Sequence, residues 1–525
     1  MLFLSGYLRD CTQRRDNCSM SVMDQGGEIG SPSEIVGLAP KKLYWGQIVA
    51  ISIFWFALNF HWAAIGTIIL PSQVFKLVGQ LHQGEALAYI LVPGAFIALI
   101  TNPLWGVASD YTRGWLARWG RRRPYILIGT LINVAGLVWM ALAPNIPSLA
   151  LAYMLVQFSS NMAQAPFHAL LPDIVPTNQR GIASGIMGFL LLIGNIGGVI
   201  VAGMFVNASK PLAQYQQSLW LTYAIIIVVL IVFMLVTILV VHERSNTIEN
   251  PPVEEIRSER ADRNWRPGWL TNSRLMTIVG TLLATLLVWG LVIIWNLLRP
   301  AGLQINNDVL QVLLEMVATA GILRLFDFNP RRNPDFAWVL FTRFLMMMGI
   351  YTIQTFLQFY MRDVVQAPNP EQQTSNFAIV VALTSLVSAL AAGWLSDHYG
   401  RKPMVYLSGS FMAVVGLVFV VTHSLLIVMI AGAVFGLGYG AYQSVDWALV
   451  ADTLPSKQNF ARDMGVWNIS LAVPQIIAPV LGGPLIDSFA RSGHPVQGYQ
   501  ILFVMAIIYC ILGTVTIRYI RGVKR

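Results

Sequence analysis

Long intervals without a formal charge constrain this chain more than any other feature. No Asp, Glu, Lys or Arg occurs from Tyr125 to Pro172, Gly181 to Ser209, Pro211 to Val241, Pro403 to Val445 or Met464 to Ile486. A helix that crosses a bilayer needs ~20 mostly apolar residues to cover ~30 Å of hydrocarbon. Each interval therefore holds one or two spans. Pro144-Asn145-Ile146-Pro147 divides the first, and Thr422-His423-Ser424 divides the fourth. Only 11% of the 525 residues are charged and 56% are hydrophobic, whereas soluble domains carry about 25% charged residues. That is too little charge to coat the surfaces of soluble domains of this total length. Soluble enzymes, nucleic-acid binders and secreted disulfide scaffolds are poor readings. Cys11, Cys18 and Cys510 match no metal-ligand or disulfide-framework spacing. The chain reads as an all-α polytopic membrane protein.

Taken along its whole length, the pattern predicts helices near 45–69, 85–108, 125–143, 148–172, 182–206 and 218–241. A second set is expected near 336–360, 375–398, 403–422, 424–451, 463–488 and 499–521. Between the sets lie a polar linker, 243–274, and a hydrophobic insert, 275–326. The insert holds a strong span candidate (Leu275 to Leu298) and a weaker one (309–326) that carries Glu315 and Arg324. With the N-terminus inside, only Lys76, Lys210, Arg299, Arg362 and Arg491 fall outside, and Arg343 falls within a span. The rest of the 34 Lys and Arg lie on the inner face, a positive-inside pattern. The net charge of +9 is thus a topology signal and implies no nucleic-acid partner. Residues 1–42 lack an apolar signal-peptide core. They read as a disordered cytoplasmic tail, or in part as sequence upstream of a start at Met20 or Met23.

Two motifs recur. Gly106-Val-Ala-Ser-Asp110 leads to Gly120-Arg121-Arg122-Arg123-Pro124, and Gly393-Trp-Leu-Ser-Asp397 leads to Gly400-Arg401-Lys402-Pro403. Farther on, the segment from Ala169 through Asp173 and Pro176 to Gln179 is echoed from Ala448 through Asp452 and Pro455 to Gln458. The offsets are 287, 280 and 279, so the chain contains two parallel repeats with a short insertion in the first basic loop. Parallel repeats need an even number of spans between them. If 275–298 crosses, 309–326 must cross back, which gives 6+2+6 helices and fourteen spans. The alternative is an interfacial or re-entrant insert and twelve spans. The six-helix units are 43–242 and 335–521.

The repeated Gly-x-x-x-Asp…Gly-Arg loop resembles the signature of the major facilitator superfamily, and the resemblance covers about 45 to 521. It implies that Gly106, Asp110, Gly120, Arg121, Arg122, Gly393, Asp397, Gly400, Arg401, Asp173 and Asp452 belong to gating motifs. The aspartates would pair with basic loops, and the glycines would allow close helix approach. For Arg121 to Arg123, anchoring to anionic lipid is an equal reading. Arg118-Trp119-Gly120-Arg121-Arg122-Arg123-Pro124-Tyr125-Ile126 is similar to the glycoside–pentoside–hexuronide and sucrose-type cation symporters. Asn161 to Asp173 resembles the fourth helix of sucrose/proton symporters, with Asn161, Gln164 and Pro166 in agreement. Met464 to Gln475 is similar to the same group. The family's acidic proton carrier is here Gln157, and its sugar-site arginine is His168. Arg362-Asp363 loosely echoes an arginine–acid pair of that group. The resemblance implies a sugar-type porter, and the two departures bear on proton coupling and on sucrose as the substrate.

Gln157, Asn161, Gln164 and His168 follow spacings of four, three and four and so share one helix face. They form either a polar cavity wall or interhelical glue worth about 0.6–2 kcal/mol per contact. Asp446 is the one such charge between Pro403 and Ala451, and the 279 offset sets it opposite Phe167, with Trp447 opposite His168. Asp446 is the candidate proton-coupling acid, with His168 as partner or relay; the rival reading is a structural or gate pair. Arg343 lies near enough to a helix end to snorkel. Asn59 and His61, beside Trp62, together with Gln354 and Gln358, are further candidate substrate contacts.

The expectation is a secondary transporter in the cell (plasma or inner) membrane, with both termini cytoplasmic. It would be monomeric and would move a sugar or glycoside with proton symport. The proton is the coupling ion, and neither cofactor nor metal is expected. The alternatives are a drug or amphipath:proton antiporter of the same fold and a non-transporting sensor or scaffold. Enzyme activity is not expected: no paired carboxylates, metal-ligand cluster or nucleophile elbow falls on an accessible element.

Overall fold

In hydrocarbon, a backbone must satisfy its N–H and C=O groups within its own segment, so apolar runs become helices. The computed structural model describes residues 43–110, 112, 119–176, 179–240, 272–298, 307–325, 328–453 and 460–521. The tail 1–42 and most of the linker 243–274 lie outside the described residues. Among the described residues there are fourteen long helices. The first six are α1 (Trp45–Val78), α2 (Gln83–Asp110), α3 (Arg123–Leu142), α4 (Ile146–Ile174), α5 (Arg180–Phe205) and α6 (Leu212–Val240). The insert forms α7 (Asn272–Leu298) and α8 (Asn307–Leu325). The last six are α9 (Pro334–Asp363), α10 (Pro370–Tyr399), α11 (Arg401–Val421), α12 (Leu425–Thr453), α13 (Phe460–Arg491) and α14 (Pro495–Thr516).

From the sequence, the first helix is expected to end at 69, ahead of Pro71. It runs on to Val78 through a π-turn at Ile65–Ile69. Pro71 has no N–H to give the Thr67 carbonyl, and the wider turn accommodates the change of register. With its amide turned to donate, Gln358 of α9 lies 2.9 Å from the Thr67 carbonyl and 3.2 Å from that of Ile68. A side chain from the other half thus serves the carbonyl that proline leaves open.

Helix packing repeats with the sequence. In the first half α1 packs on α5 and α6, α2 on α4, and α3 on α4 and α6. Eight helices later α9 packs on α13 and α14, α10 on α12, and α11 on α12 and α14. Between the halves, α2 meets α13 and α5 meets α10, which is one contact seen twice when the halves are exchanged. Gly84 and Gly483 sit at the α2–α13 crossing, where a Cβ on Gly84 would lie 2.5 Å from the Gly483 carbonyl oxygen. No other residue type lets the two backbones approach so closely.

The insert is an antiparallel hairpin. Gly321, late in α8, rests against Thr281, early in α7, and α8 packs on α13. Twelve of the described helices are long and apolar enough to cross a membrane. That set includes Val279–Leu298 of α7 and omits α4 and α8. α4 falls short because it carries the polar stripe, yet it stands where its repeat partner α12 stands.

Candidate functional site

The stripe on α4 is partly self-satisfied. Gln157 Nε2 donates to the Tyr153 hydroxyl at 2.9 Å, and Asn161 Nδ2 donates to the Gln157 carbonyl at 2.8 Å. Asn161 is buried and accepts from Asn102 of α2 at 3.0 Å, so this residue acts as interhelical glue. Gln164 is half-buried. His168 is exposed although it lies within the helix, and its ring meets Trp55 of α1 edge-on at 4.6 Å. On α1, Asn59 donates to its own helix at the Trp55 carbonyl, 2.7 Å away. His61 is fully buried with neither ring nitrogen hydrogen-bonded, and it lies beside Trp62, which meets Tyr153 edge-on. The structure therefore brings together His168 with Trp55, Gln157 with Tyr153, and Tyr153 with Trp62.

In the other half the centre is an ion pair. Arg343 Nη1 of α9 lies 3.1 Å from Asp446 Oδ2 of α12, with side chains 4% and 2% exposed. The partner beside Asp446 is thus Arg343, where the sequence reading expected His168. His168 lies in the first half, where its ring contacts are Trp55 and Phe167. Arg343 does not snorkel: its guanidinium is stacked 3.2 Å from the centroid of the Trp467 ring. Tyr442, one turn before Asp446, donates to Asp446 Oδ1 at 3.3 Å. Trp447 is exposed and meets Trp467 edge-on at 4.5 Å. Nearby, Gln475 of α13 donates to the Tyr351 hydroxyl of α9 at 2.7 Å. Gln354 is exposed on α9.

Gln358 lies elsewhere on α9. It is buried at the end of α9 that lies away from the basic loops, within a network that ties the halves together. The hub of that network is the fully buried Glu371 of α10. It accepts from the Ser72 hydroxyl and the Ala208 N–H of the first half, each at 3.2 Å, and pairs with Arg362. Arg362 in turn lies over the Phe75 ring at 3.8 Å. Asp363 accepts from Gln83 and from Tyr499, both at 2.6 Å. Asp487 of α13 accepts the N–H groups of Gly84 at 2.9 Å and Glu85 at 2.7 Å. This is an N-cap for α2 supplied by the other half. Arg491 pairs with Glu85 at 2.8 Å.

At the opposite end, Gly120 and Gly400 have φ of 109° and 91°, where L-residues are strained. That backbone requirement is why these motif positions are glycine. Close helix approach does not explain Gly106, since a Cβ there would meet nothing within 4 Å, or Gly393, where it would make an ordinary contact with Ser444. Arg401 Nε pairs with Asp452 at 2.5 Å, which ties α11 to α12 within one half. Arg122 is buried and donates to the Ser109 hydroxyl at 2.5 Å, while Arg121 sits exposed in the same loop. The side chains of Asp110, Asp173 and Asp397 lie outside the described set. Arg343, Trp467, Glu371 and Asp487 were missed as site residues. The available signal was opposite charges on two spans of one half, Arg343 and Asp446.

The model of the Major Facilitator Superfamily matches residues 43–368 and 339–524. The chain belongs to the major facilitator superfamily and is a multi-pass membrane protein. Human solute carrier family 45 member 4 is 31% identical over 150 residues, covering 26% of this chain and 19% of the relative. The class C tetracycline resistance protein of Escherichia coli is 29% identical over 150 residues, 28% of this chain and 37% of that protein. Sucrose transport protein SUC3 of Arabidopsis thaliana is 24% identical over 160 residues, 26% of each chain. The matched segments thus span well under half the length of these relatives. In fold, the chain is similar to the nucleoside transporter NupG, with a TM-score of 0.60, 12% identity and coverage of 90% of this chain and 98% of that one.

Proposed function

We propose that the chain is a proton-coupled sugar or glycoside symporter working by alternating access, with Asp446 as the coupling acid and Arg343 as its partner. The observation that carries this reading is the buried Arg343–Asp446 pair. A carboxylate kept dry beside one cation has two stable states, ion-paired or protonated, and proton uptake frees Arg343 to take another partner. In a rocking-bundle carrier, that exchange links the proton to the solute. The amides of Gln157 and Gln164, the His168–Trp55 pair and Trp62 offer the hydrogen bonds and ring faces that a sugar uses. Partial identity to a sucrose transport protein supports the same class. On the positive-inside pattern the basic loops face the cytoplasm, so the hydrogen-bonded distal end describes a carrier closed to the outside. We further propose that α7 and α8 cross as a pair, which keeps the repeats parallel, and that the carrier works as a monomer in the cell membrane.

A second reading has a specific observation behind it. Identity to a tetracycline resistance protein favours an antiporter of amphipathic compounds. Proteoliposomes under an imposed pH gradient separate the two. Accumulation of one member of a disaccharide panel, with no dye efflux, supports the symporter. Efflux of an amphipathic dye with no response to any sugar overturns it in favour of the antiporter.

A further inference from the structure

The insert ends against the ion-pair site. Leu323 in the last turn of α8 and Phe328 just beyond it pack on a small buried cluster of Phe336, Val450, Val466 and Trp467. Phe328 is fixed there twice: its N–H donates to the Leu323 carbonyl at 3.0 Å, and its ring meets Phe336 edge-on at 5.9 Å. Trp467 is 1% exposed, and its indole N–H is buried without a hydrogen-bond acceptor. Packing alone therefore holds the ring: the cluster on one side, Trp447 at 4.5 Å, and the Arg343 guanidinium at 3.2 Å. A cation over an indole face is attracted more strongly when both are desolvated, but only while the ring stays in place.

We infer that the α7–α8 hairpin is a positioning element of the ion-pair site, with Leu323 and Phe328 holding Trp467 against Arg343 and thereby setting how readily Asp446 takes up a proton. The inference rests on the coupling role proposed for Asp446. The insert is then more than a topological spacer: a movement at the end of α8 reaches Asp446 through the cluster that Leu323 and Phe328 pack on and that contains Trp467, then from Trp467 to Arg343, and from Arg343 to Asp446. Among the described residues, the other titratable groups around the pair are Tyr439 and Tyr442 on α12, Tyr351 on α9 and Cys510 on α14. None of them belongs to the insert, so a change made at Leu323 or Phe328 alters no charge near Asp446 and acts through position alone.

The test uses the full chain in lipid vesicles and the proton itself as ligand. The protonated-carboxyl stretch is followed by infrared difference spectroscopy against pH, and the Asp446 band is identified by its loss in Asp446→Asn. Leu323→Ala and Phe328→Ala are expected to displace its midpoint by about half a pH unit or more, about threefold in proton affinity. Leu323→Ile and Phe328→Leu should stay near the parent. Leu287→Ala, on the exposed face of α7, should leave the midpoint unchanged. Both alanine variants titrating like the parent while remaining monodisperse would overturn the inference, because a purely structural hairpin costs stability without moving the midpoint. The two readings fail separately. A displaced midpoint in a carrier whose proton-driven sucrose uptake survives Asp446→Asn keeps the positioning role and removes the coupling role. An unmoved midpoint with uptake abolished in Asp446→Asn does the reverse.

Discussion

Removing Arg343 while leaving Asp446 strands a carboxylate that is 2% exposed. At the observed 3.1 Å and an effective dielectric of about 20, the two charges attract by roughly 5 kcal/mol. That attraction offsets the desolvation of both ions, so the intact pair contributes little net stability. Breaking it from one side leaves the desolvation uncompensated, and Arg343→Gln is expected to destabilise by about 3–5 kcal/mol. Asp446→Asn leaves the guanidinium stranded and should cost a similar amount, eased by its stacking on Trp467. The double variant Arg343→Gln/Asp446→Asn buries no charge, and it should be less destabilised than the sum of the singles by about 3 kcal/mol, the upper end for contacting residues. The assay is reversible unfolding in mixed micelles, followed by tryptophan fluorescence. Acidification should restore part of the Arg343→Gln loss, since a proton neutralises the stranded charge, and should not help Asp446→Asn. Additive singles, or singles within about 1 kcal/mol of the parent, would refute the claim that the pair is dry and mutually dependent.

Other consequences can be checked at the distal end. Glu371→Gln weakens the hub that joins Arg362, Ser72 and Ala208. Spin labels at Leu77→Cys and Gln372→Cys should then show a larger population of long distances, and an unchanged distribution would count against a gate there. Gly84→Ala puts a Cβ 2.5 Å from the Gly483 carbonyl, and overpacking of this kind costs about 1–3 kcal/mol. Because the clash exists only when α2 and α13 close together, the variant should shift the same distances outward while each half stays folded. Asp487→Asn keeps one acceptor oxygen where the carboxylate offers two to the Gly84 and Glu85 N–H groups, and losing the cap is expected to cost about 1 kcal/mol. Faster amide exchange at those two positions is the reading to look for.

Much of the fold was legible because the bilayer enforces simple rules. Charge-free intervals located the spans, and the two recurring motifs located the repeat that the helix pairings reproduce. The first helix was expected to end at 69 and runs on to Val78; Pro71 leaves a carbonyl open there, and only a tertiary partner, Gln358, shows how the chain continues. Asp446 could be singled out as a lone charge in a long apolar stretch. Its partner was signalled only by an opposite charge on another span of the same half: Arg343 sits close enough to a helix end to snorkel, and which way its long side chain turns depends on Trp467, more than a hundred residues away. Gln358 and Asn161 illustrate a related ambiguity. An amide on a span looks the same in sequence whether it faces a pathway or ties two helices, and the contacts of these two run between helices. Gly120 and Gly400 were found by motif without their positive φ, because φ is invisible until the loop is seen.

The central claim is that Asp446 carries the proton that drives the solute. Its most direct test records external pH and disaccharide uptake in the same proteoliposomes, without an imposed gradient at the start. The account predicts that adding the transported sugar makes the external medium more alkaline in step with uptake, and that Asp446→Asn abolishes the pH change. Sugar uptake with no accompanying proton movement, or a proton flux that persists in Asp446→Asn, would contradict it.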